Sequence, residues 1–233
     1  MSGEPDALHG IAERALSYVC DDTILGLGTG RAATAFVRAL GEKVRGGLRI
    51  RGVPTSESTA ALARELGIEL LTLENAGRIH TTFDGADEVS PELDLIKGYG
   101  GALVREKIVA ASSARLVILV GHEKLVTRVG QRGRLPVEVV PFGLALCERE
   151  LAALGVKPSL RRGDDGEPYV TDNHNFILDC GVDPIGDPKS FEEKVLAIPG
   201  VLGTGLFVGM ADIVLVQERD TVRAMERSAG VSA

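Results

Sequence analysis

Apolar positions along the first half of the chain follow two alternating rhythms. A short unbroken run at 23–27 ends in glycines, and 32–40 then carries apolar residues on a helical period. The same pairing recurs at 48–53 and 58–66, continues into 69–73, and returns at 79–83, 102–111 and 116–120. Short continuous apolar runs suit strands buried on both faces, and their alternation with helices predicts a parallel α/β sheet. Sites in such sheets lie beyond the carboxyl ends of the strands. Residues 26–30 and 84–87 each follow an apolar run directly, so both are expected at one crevice.

From about Gln131 the texture changes. Residues 136–140 read as a strand, 144–154 as an amphipathic helix, 160–178 as a hairpin turning at Gly163-Asp164-Asp165-Gly166, and 191–197 as another helix. Two further strands, 205–209 and 213–216, are expected to return the chain to the first domain. The expected division is therefore an α/β domain from 1–130 and 205–233 with a smaller α+β domain at 131–204.

Composition narrows the function classes. A chain of 233 residues, 44% hydrophobic, can bury a core for one large or two unequal domains. Its longest apolar runs, at 116–120 and 213–216, are far too short to span a bilayer, and the acidic N-terminus lacks the apolar core of a signal peptide. No membrane association and a cytoplasmic location are expected. Cys20, Cys147 and Cys180 are odd in number and far apart, which suggests neither a disulfide framework nor a zinc site. A net charge of −7 argues against nucleic acid as a partner, since phosphate backbones are bound by extended basic surfaces. A small anion needs only a local cluster of positive groups and backbone N–H donors.

Between Asp84 and Ala110 the chain concentrates Asp84-Gly85-Ala86-Asp87-Glu88, Lys97-Gly98-Tyr99-Gly100-Gly101 and Arg105-Glu106-Lys107. Moving a proton between adjacent carbons of a sugar needs a base for the carbon proton, an acid/base for the oxygens and donors for the enediolate's charge. All three are here. With 102–111 helical, Glu106 has Ala102, Leu103, Val109 and Ala110 at i−4, i−3, i+3 and i+4, so its carboxylate emerges among apolar neighbours. Desolvation there raises its proton affinity, which suits a carbon base. The glycines after Lys97 allow backbone N–H groups and the ammonium to approach one substrate oxygen together.

This block closely resembles ribose-5-phosphate isomerase A. The resemblance extends to Gly26-Leu27-Gly28-Thr29-Gly30, Thr55-Ser56-Glu57-Ser58-Thr59, Pro136-Val137-Glu138-Val139, Thr171-Asp172-Asn173-His174-Asn175 and Ile198-Pro199-Gly200-Val201, in one order over essentially the whole chain. It implies a Rossmann-like α/β fold with an inserted α+β domain of ferredoxin-like type, a sugar-phosphate substrate, and a homodimer or homotetramer. The implied activity interconverts ribose 5-phosphate and ribulose 5-phosphate. Glu106 is expected to move the proton between C2 and C1, Asp84 with Asp87 to manage the hydroxyl protons, and Lys97 with Lys124 to stabilise the negative charge. Lys124 holds that role by resemblance and by its place after the strand at 116–120.

The glycine loop fits a single phosphate better than a nucleotide. Gly26-x-Gly28-x-Gly30 is one residue short of the dinucleotide fingerprint, residues 46–53 carry no acidic side chain for a ribose hydroxyl, and no Gly-Lys-Ser/Thr follows. A tight strand-to-helix turn is the plainer alternative; the resemblance makes Gly28, Thr29, Gly30, Arg31 and Ala32 substrate-binding, with Gly85, Ala86, Gly98, Tyr99 and Gly100. No cofactor or metal is expected, because the substrate's own carbonyl acidifies the proton.

Two departures stand out. Family members often carry phosphate-holding lysines in the first helix where this chain has Leu8-His9, and small hydroxyl residues where it has Arg31-Ala32. Tyr99 interrupts a run that is usually all glycine, and its side chain either narrows the pocket or points away. Two alternatives stay open: a non-catalytic sugar-phosphate sensor, against which the joint acid/base set speaks, and an amino-sugar phosphate deaminase or CoA transferase of the same fold group.

Overall fold

The computed structural model describes residues 8–227. In chain order the first elements are α1 (His9–Leu16), β1 (Thr23–Leu27), α2 (Arg31–Arg45), β2 (Ile50–Pro54), α3 (Glu57–Glu65), β3 (Glu69–Leu70), α4 (Leu73–Ala76), β4 (Thr81–Gly85), β5 (Glu88–Val89), β6 (Leu95–Ile96), α5 (Leu103–Ala111) and β7 (Leu116–Gly121). There follow β8 (Leu135–Val139), α6 (Leu144–Ala153), β9 (Lys157–Leu160), β10 (Phe176–Gly181), α7 (Pro188–Leu196), β11 (Val201–Thr204), β12 (Leu206–Phe207), β13 (Ile213–Glu218) and β14 (Thr221–Glu226).

Two compact units result. Among the described residues, one comprises 8–85, Ile108–Lys124 and 209–227; the other comprises Ala86–Lys107 and Leu125–Val208. The expected 131–204 domain lies inside the second unit, which also takes in 86–107, 125–130 and 205–208.

The first unit is built on a seven-stranded sheet, order β14-β13-β7-β4-β1-β2-β3, parallel except for the antiparallel edge strand β14. Its strands are apolar and buried in two clusters: Leu25, Leu27, Phe83, Val117, Leu119 and Leu215 with Ile11 and Ala15 of α1 and Phe36, Val37 and Leu40 of α2, and Val53 with Ile79, Ala76 of α4 and Val109 of α5. The ring of Phe36 stacks on that of Phe83 with centroids 4.2 Å apart, fixing α2 against β4. Helix α3 starts where Ser56 Oγ accepts the Thr59 N–H at 3.1 Å.

The second unit contains β8-α6-β9-β10-α7-β11, whose four strands pair in the order β11-β8-β10-β9 with antiparallel register. This is the ferredoxin-like arrangement. Its core joins Val137, Val139, Leu178 and Cys180 to Cys147 and Leu151 of α6 and Val195 of α7. Asp187 caps α7 by accepting the Ser190 N–H at 3.0 Å, and Pro188 occupies the first turn.

Two expected strands turn out differently. Residues 163–166 do form a turn, but the sheet strands on either side are β9 and β10, so 161–175 is a long excursion rather than a simple hairpin. The segment expected to return at 205–209 instead supplies β12, which pairs with β6 in a small three-stranded sheet of the second unit.

Candidate active site

In the first unit, β1 and β4 are neighbours, so the glycine loop and Asp84 emerge side by side at the carboxyl ends of paired strands. Asp84 is fully buried. Its Oδ1 accepts the N–H of Thr29 at 3.1 Å and of Gly85 at 2.7 Å. Gly28 has to lack a side chain: its own N–H donates to Phe83 O at 2.9 Å, and a Cβ would sit 2.5 Å from that oxygen and on top of the Asp84 carboxylate. Gly30 then turns the chain with φ 103°, and among the described residues no side chain caps the start of α2, whose first N–H groups lack intrahelical partners.

Hydroxyls hold this loop in place. Thr29 Oγ1 lies 2.8 Å from both Thr55 Oγ1 and Ser56 Oγ, and Thr59 Oγ1 donates to Gly28 O at 2.9 Å. The Thr55-to-Thr59 motif thus anchors the glycine loop to the start of α3. Arg31 is exposed on the first turn of α2 and lines a cleft of about 420 Å³ with Leu8, His122, Glu123, Gln217 and Arg219. Lys124 closes the turn after β7 and is half-buried.

The second unit holds the other expected residues. Lys97 and Glu106 are 2% and 4% exposed, and Lys97 Nζ lies 3.4 Å from Glu106 Oε2. The apolar surroundings expected for Glu106 are present, since Leu103 of α5 and Ala102 just before it are buried and the Phe207 ring lies 5.5 Å from Lys97 Nζ. Asp87 is half-buried, and its Oδ2 accepts the Tyr99 N–H at 3.0 Å, which ties the carboxylate to the glycine run.

Tyr99 occupies a place in that run whose backbone accepts a side chain. Gly98 and Gly101 have φ of 97° and 90°, a region that disfavours side chains, whereas Tyr99 is absent from the positive-φ positions. Its ring packs under the Arg134 guanidinium, 4.6 Å from the centroid, and its hydroxyl donates to Arg134 O at 3.2 Å. Burial, with the Glu88 and Asp87 carboxylates, pushes the phenol up to about 12, so it stays neutral.

Several supporting residues carry no local sequence signal. Arg161 donates from Nη1 to Gly98 O and Tyr99 O at 3.1 and 3.2 Å and is gripped by Asp179 through Nε and Nη2 at 2.9 and 2.6 Å. Arg134 makes a second two-pronged contact with Asp179 at 2.9 and 2.7 Å. Burial works to raise the Asp179 carboxyl, but the two guanidiniums outweigh it and hold it below the usual carboxylate range. On the other side of α5, Lys107 pairs with Glu192.

The profile of ribose 5-phosphate isomerase A (phosphoriboisomerase A) matches residues 51–221. The chain belongs to the ribose-5-phosphate isomerase A family. It is 51% identical over 213 residues to ribose-5-phosphate isomerase A of Roseiflexus sp. (strain RS-1), covering 91% of each chain. Among solved structures, ribose 5-phosphate isomerase A of Methanocaldococcus jannaschii superposes with a TM-score of 0.91 at 37% identity, over 95% of this chain and 98% of that one. A D-ribose-5-phosphate isomerase in complex with phospho-erythronic acid gives 0.92 at 39% identity, over 95% of this chain and 98% of that one. Family and fold therefore agree, and the ribose-5-phosphate isomerase A fold expected from the motifs, a Rossmann-like sheet with a ferredoxin-like insertion, is the one observed. The chain is accordingly an isomerase.

Proposed function

We propose that the chain interconverts D-ribose 5-phosphate and D-ribulose 5-phosphate through an enediolate, with Glu106 as the base. The observation that carries the role of Glu106 is its buried pairing with Lys97 in a chain of this family. A carboxylate withdrawn from water is a stronger base than an exposed one, and the adjacent ammonium supplies charge where an oxyanion forms. Phospho-erythronic acid, held by the relative, carries a carboxylate where the enediolate would carry its charge, which supports the same class of ligand here.

After ring opening, the Glu106 carboxylate takes the proton from C2, and the electron pair of that C–H bond forms the C1–C2 double bond of the enediolate. The carboxylic acid returns the proton to C1, while the O2 hydroxyl proton passes to O1. Asp84 and Asp87 manage the hydroxyl protons; Lys97 and Lys124 hold the oxyanion charge. The backbone N–H groups at the start of α2, with Arg31, bind the phosphate. Gly85, Ala86, Gly98, Tyr99 and Gly100 shape the surroundings of the reacting carbons. The three free thiols, Cys20, Cys147 and Cys180, fit a reducing compartment such as the cytoplasm.

A direct test incubates the purified protein with ribose 5-phosphate in deuterated water. Formation of ribulose 5-phosphate with deuterium at C1, and exchange at C2 of recovered substrate, is the expected result. Isomerisation without any solvent exchange would point to hydride transfer, and no isomerisation at all would reject the activity.

A further inference from the structure

Glu138 is a fully buried carboxylate that the reaction does not use. It projects from β8, and a single oxygen, Oε1, accepts three bonds: from Thr171 Oγ1 at 3.0 Å, Asn173 Nδ2 at 3.1 Å and Asn175 Nδ2 at 2.9 Å. Its Oε2 is buried with no hydrogen-bond partner among the described residues. Burying a carboxylate among neutral donors, with one oxygen unsatisfied, is costly, so the group is poorly explained as a source of stability alone.

What the carboxylate organises is the 171–175 loop. Thr171 Oγ1 also accepts the N–H groups of Asn173 and Asn175, each at 3.2 Å, and the loop closes through Thr171 N–H to Asn175 O at 2.9 Å. His174 is held there at φ 61°, a left-handed conformation that a non-glycine residue keeps only where its surroundings dictate it. The loop in turn grips α5. Arg105 Nε donates to Asn173 Oδ1 at 2.9 Å and Arg105 Nη2 to Asp172 O at 2.8 Å. Asn173 therefore bonds Glu138 with its amide nitrogen and Arg105 with its amide oxygen.

Arg105 directly precedes Glu106. On the other side, Lys107 is fastened to Glu192, which also accepts from Thr204 Oγ1 at 3.1 Å. Both sequence neighbours of Glu106 are thus tied to the ferredoxin-like unit, one of them through an amide that has a single geometry in which both bonds are made.

We propose that Glu138, Asn173 and Arg105 form a positioning relay that fixes the first turn of α5 and so sets where the Glu106 carboxylate sits. The proposal rests on Glu106 being the base. A shift of about 1 Å in a reacting group is enough to lower a rate by up to roughly 100-fold.

The test is a double-mutant cycle on the full chain with Asn173→Ala and Glu106→Gln, reading kcat and KM separately, with circular dichroism as a check on folding. Asn173→Ala alone should lower kcat about 10-fold with KM changed less than about 2-fold, and should cost less than about 2-fold further in the Glu106→Gln background. An equal loss in both backgrounds, or an unchanged kcat in the single variant, overturns the relay. Should Asn173→Ala fail to fold, Arg105→Lys takes its place in the cycle with the same expectations, because lysine keeps the charge but cannot reach both Asn173 Oδ1 and Asp172 O. A Glu106→Gln protein of wild-type activity would instead overturn the assignment of the base, and the relay with it.

Discussion

Lys97 Nζ and Glu106 Oε2 stand 3.4 Å apart, and both side chains are almost wholly out of water. In such surroundings a charge pair interacts far more strongly than at the surface, so changing either partner is felt by the other. Glu106→Gln is nearly isosteric and cannot take a proton. It should keep the fold and substrate binding and lower kcat by at least about 100-fold, the scale of a lost general base. Steady-state kinetics that returned wild-type kcat with an unchanged pH profile would remove Glu106 from that role.

Arg31 stands at the first turn of α2 and shares its cleft with Arg219, His122 and Glu123. Arg31→Ser should weaken use of ribose 5-phosphate by roughly 1.5 to 3 kcal/mol in kcat/KM, the value of a hydrogen bond to a charged group. The much slower reaction of unphosphorylated ribose should hardly change. An equal loss on both substrates, or on neither, would show that Arg31 does not hold the phosphate.

Extensive chelation should leave activity intact. Among the described residues, no group of three or more His, Cys, Asp and Glu side chains is placed to hold a metal ion. The isomerisation asks for no Lewis acid when an ammonium stabilises the enediolate. Activity that fell under EDTA and returned on adding zinc or magnesium would move Asp84 and Asp87 toward metal ligation.

Asp179 makes a pH-dependent contribution of definite sign. Its carboxyl titrates below the ordinary range because Arg161 and Arg134 hold the charged form. Its stabilising effect is complete above the unfolded value, about 3.9, and disappears as pH falls through the lower folded value. Asp179→Asn should therefore flatten the loss of stability in acid. At neutral pH it should cost about 3 kcal/mol by leaving Arg161, itself buried, without its charge partner. Urea unfolding at pH 7 and pH 3 measures both, and a wild-type acid slope in the variant would contradict the assignment.

Much of the first unit was legible because its signals are local. The run at 23–27 coincides with β1, and in the second unit the apolar neighbours of Glu106 at i±3 and i±4 match its burial. Local signals also explain the errors. Strands β5, β6 and β12 are two residues long, too short for any period, so the pattern at 205–209 does not show which strand it pairs with. Strand β14 is mostly exposed, with no apolar face to betray it. The clamps on the site are invisible for a different reason. Arg161 reaches the carbonyls of Gly98 and Tyr99 across more than 60 residues of chain, and Arg105 meets Asn173 across 68. No pattern in either segment announces such a meeting.

Asp84 takes its orientation from the N–H groups of Thr29 and Gly85. Main-chain donors are common to every residue except proline, so ordinary substitution at positions 29 or 85 cannot delete them. Inheritance can therefore wear away the side chains of the loop while its grip on the acid survives. The vulnerable point is Gly28, where even one added methyl would strike the carboxylate being held.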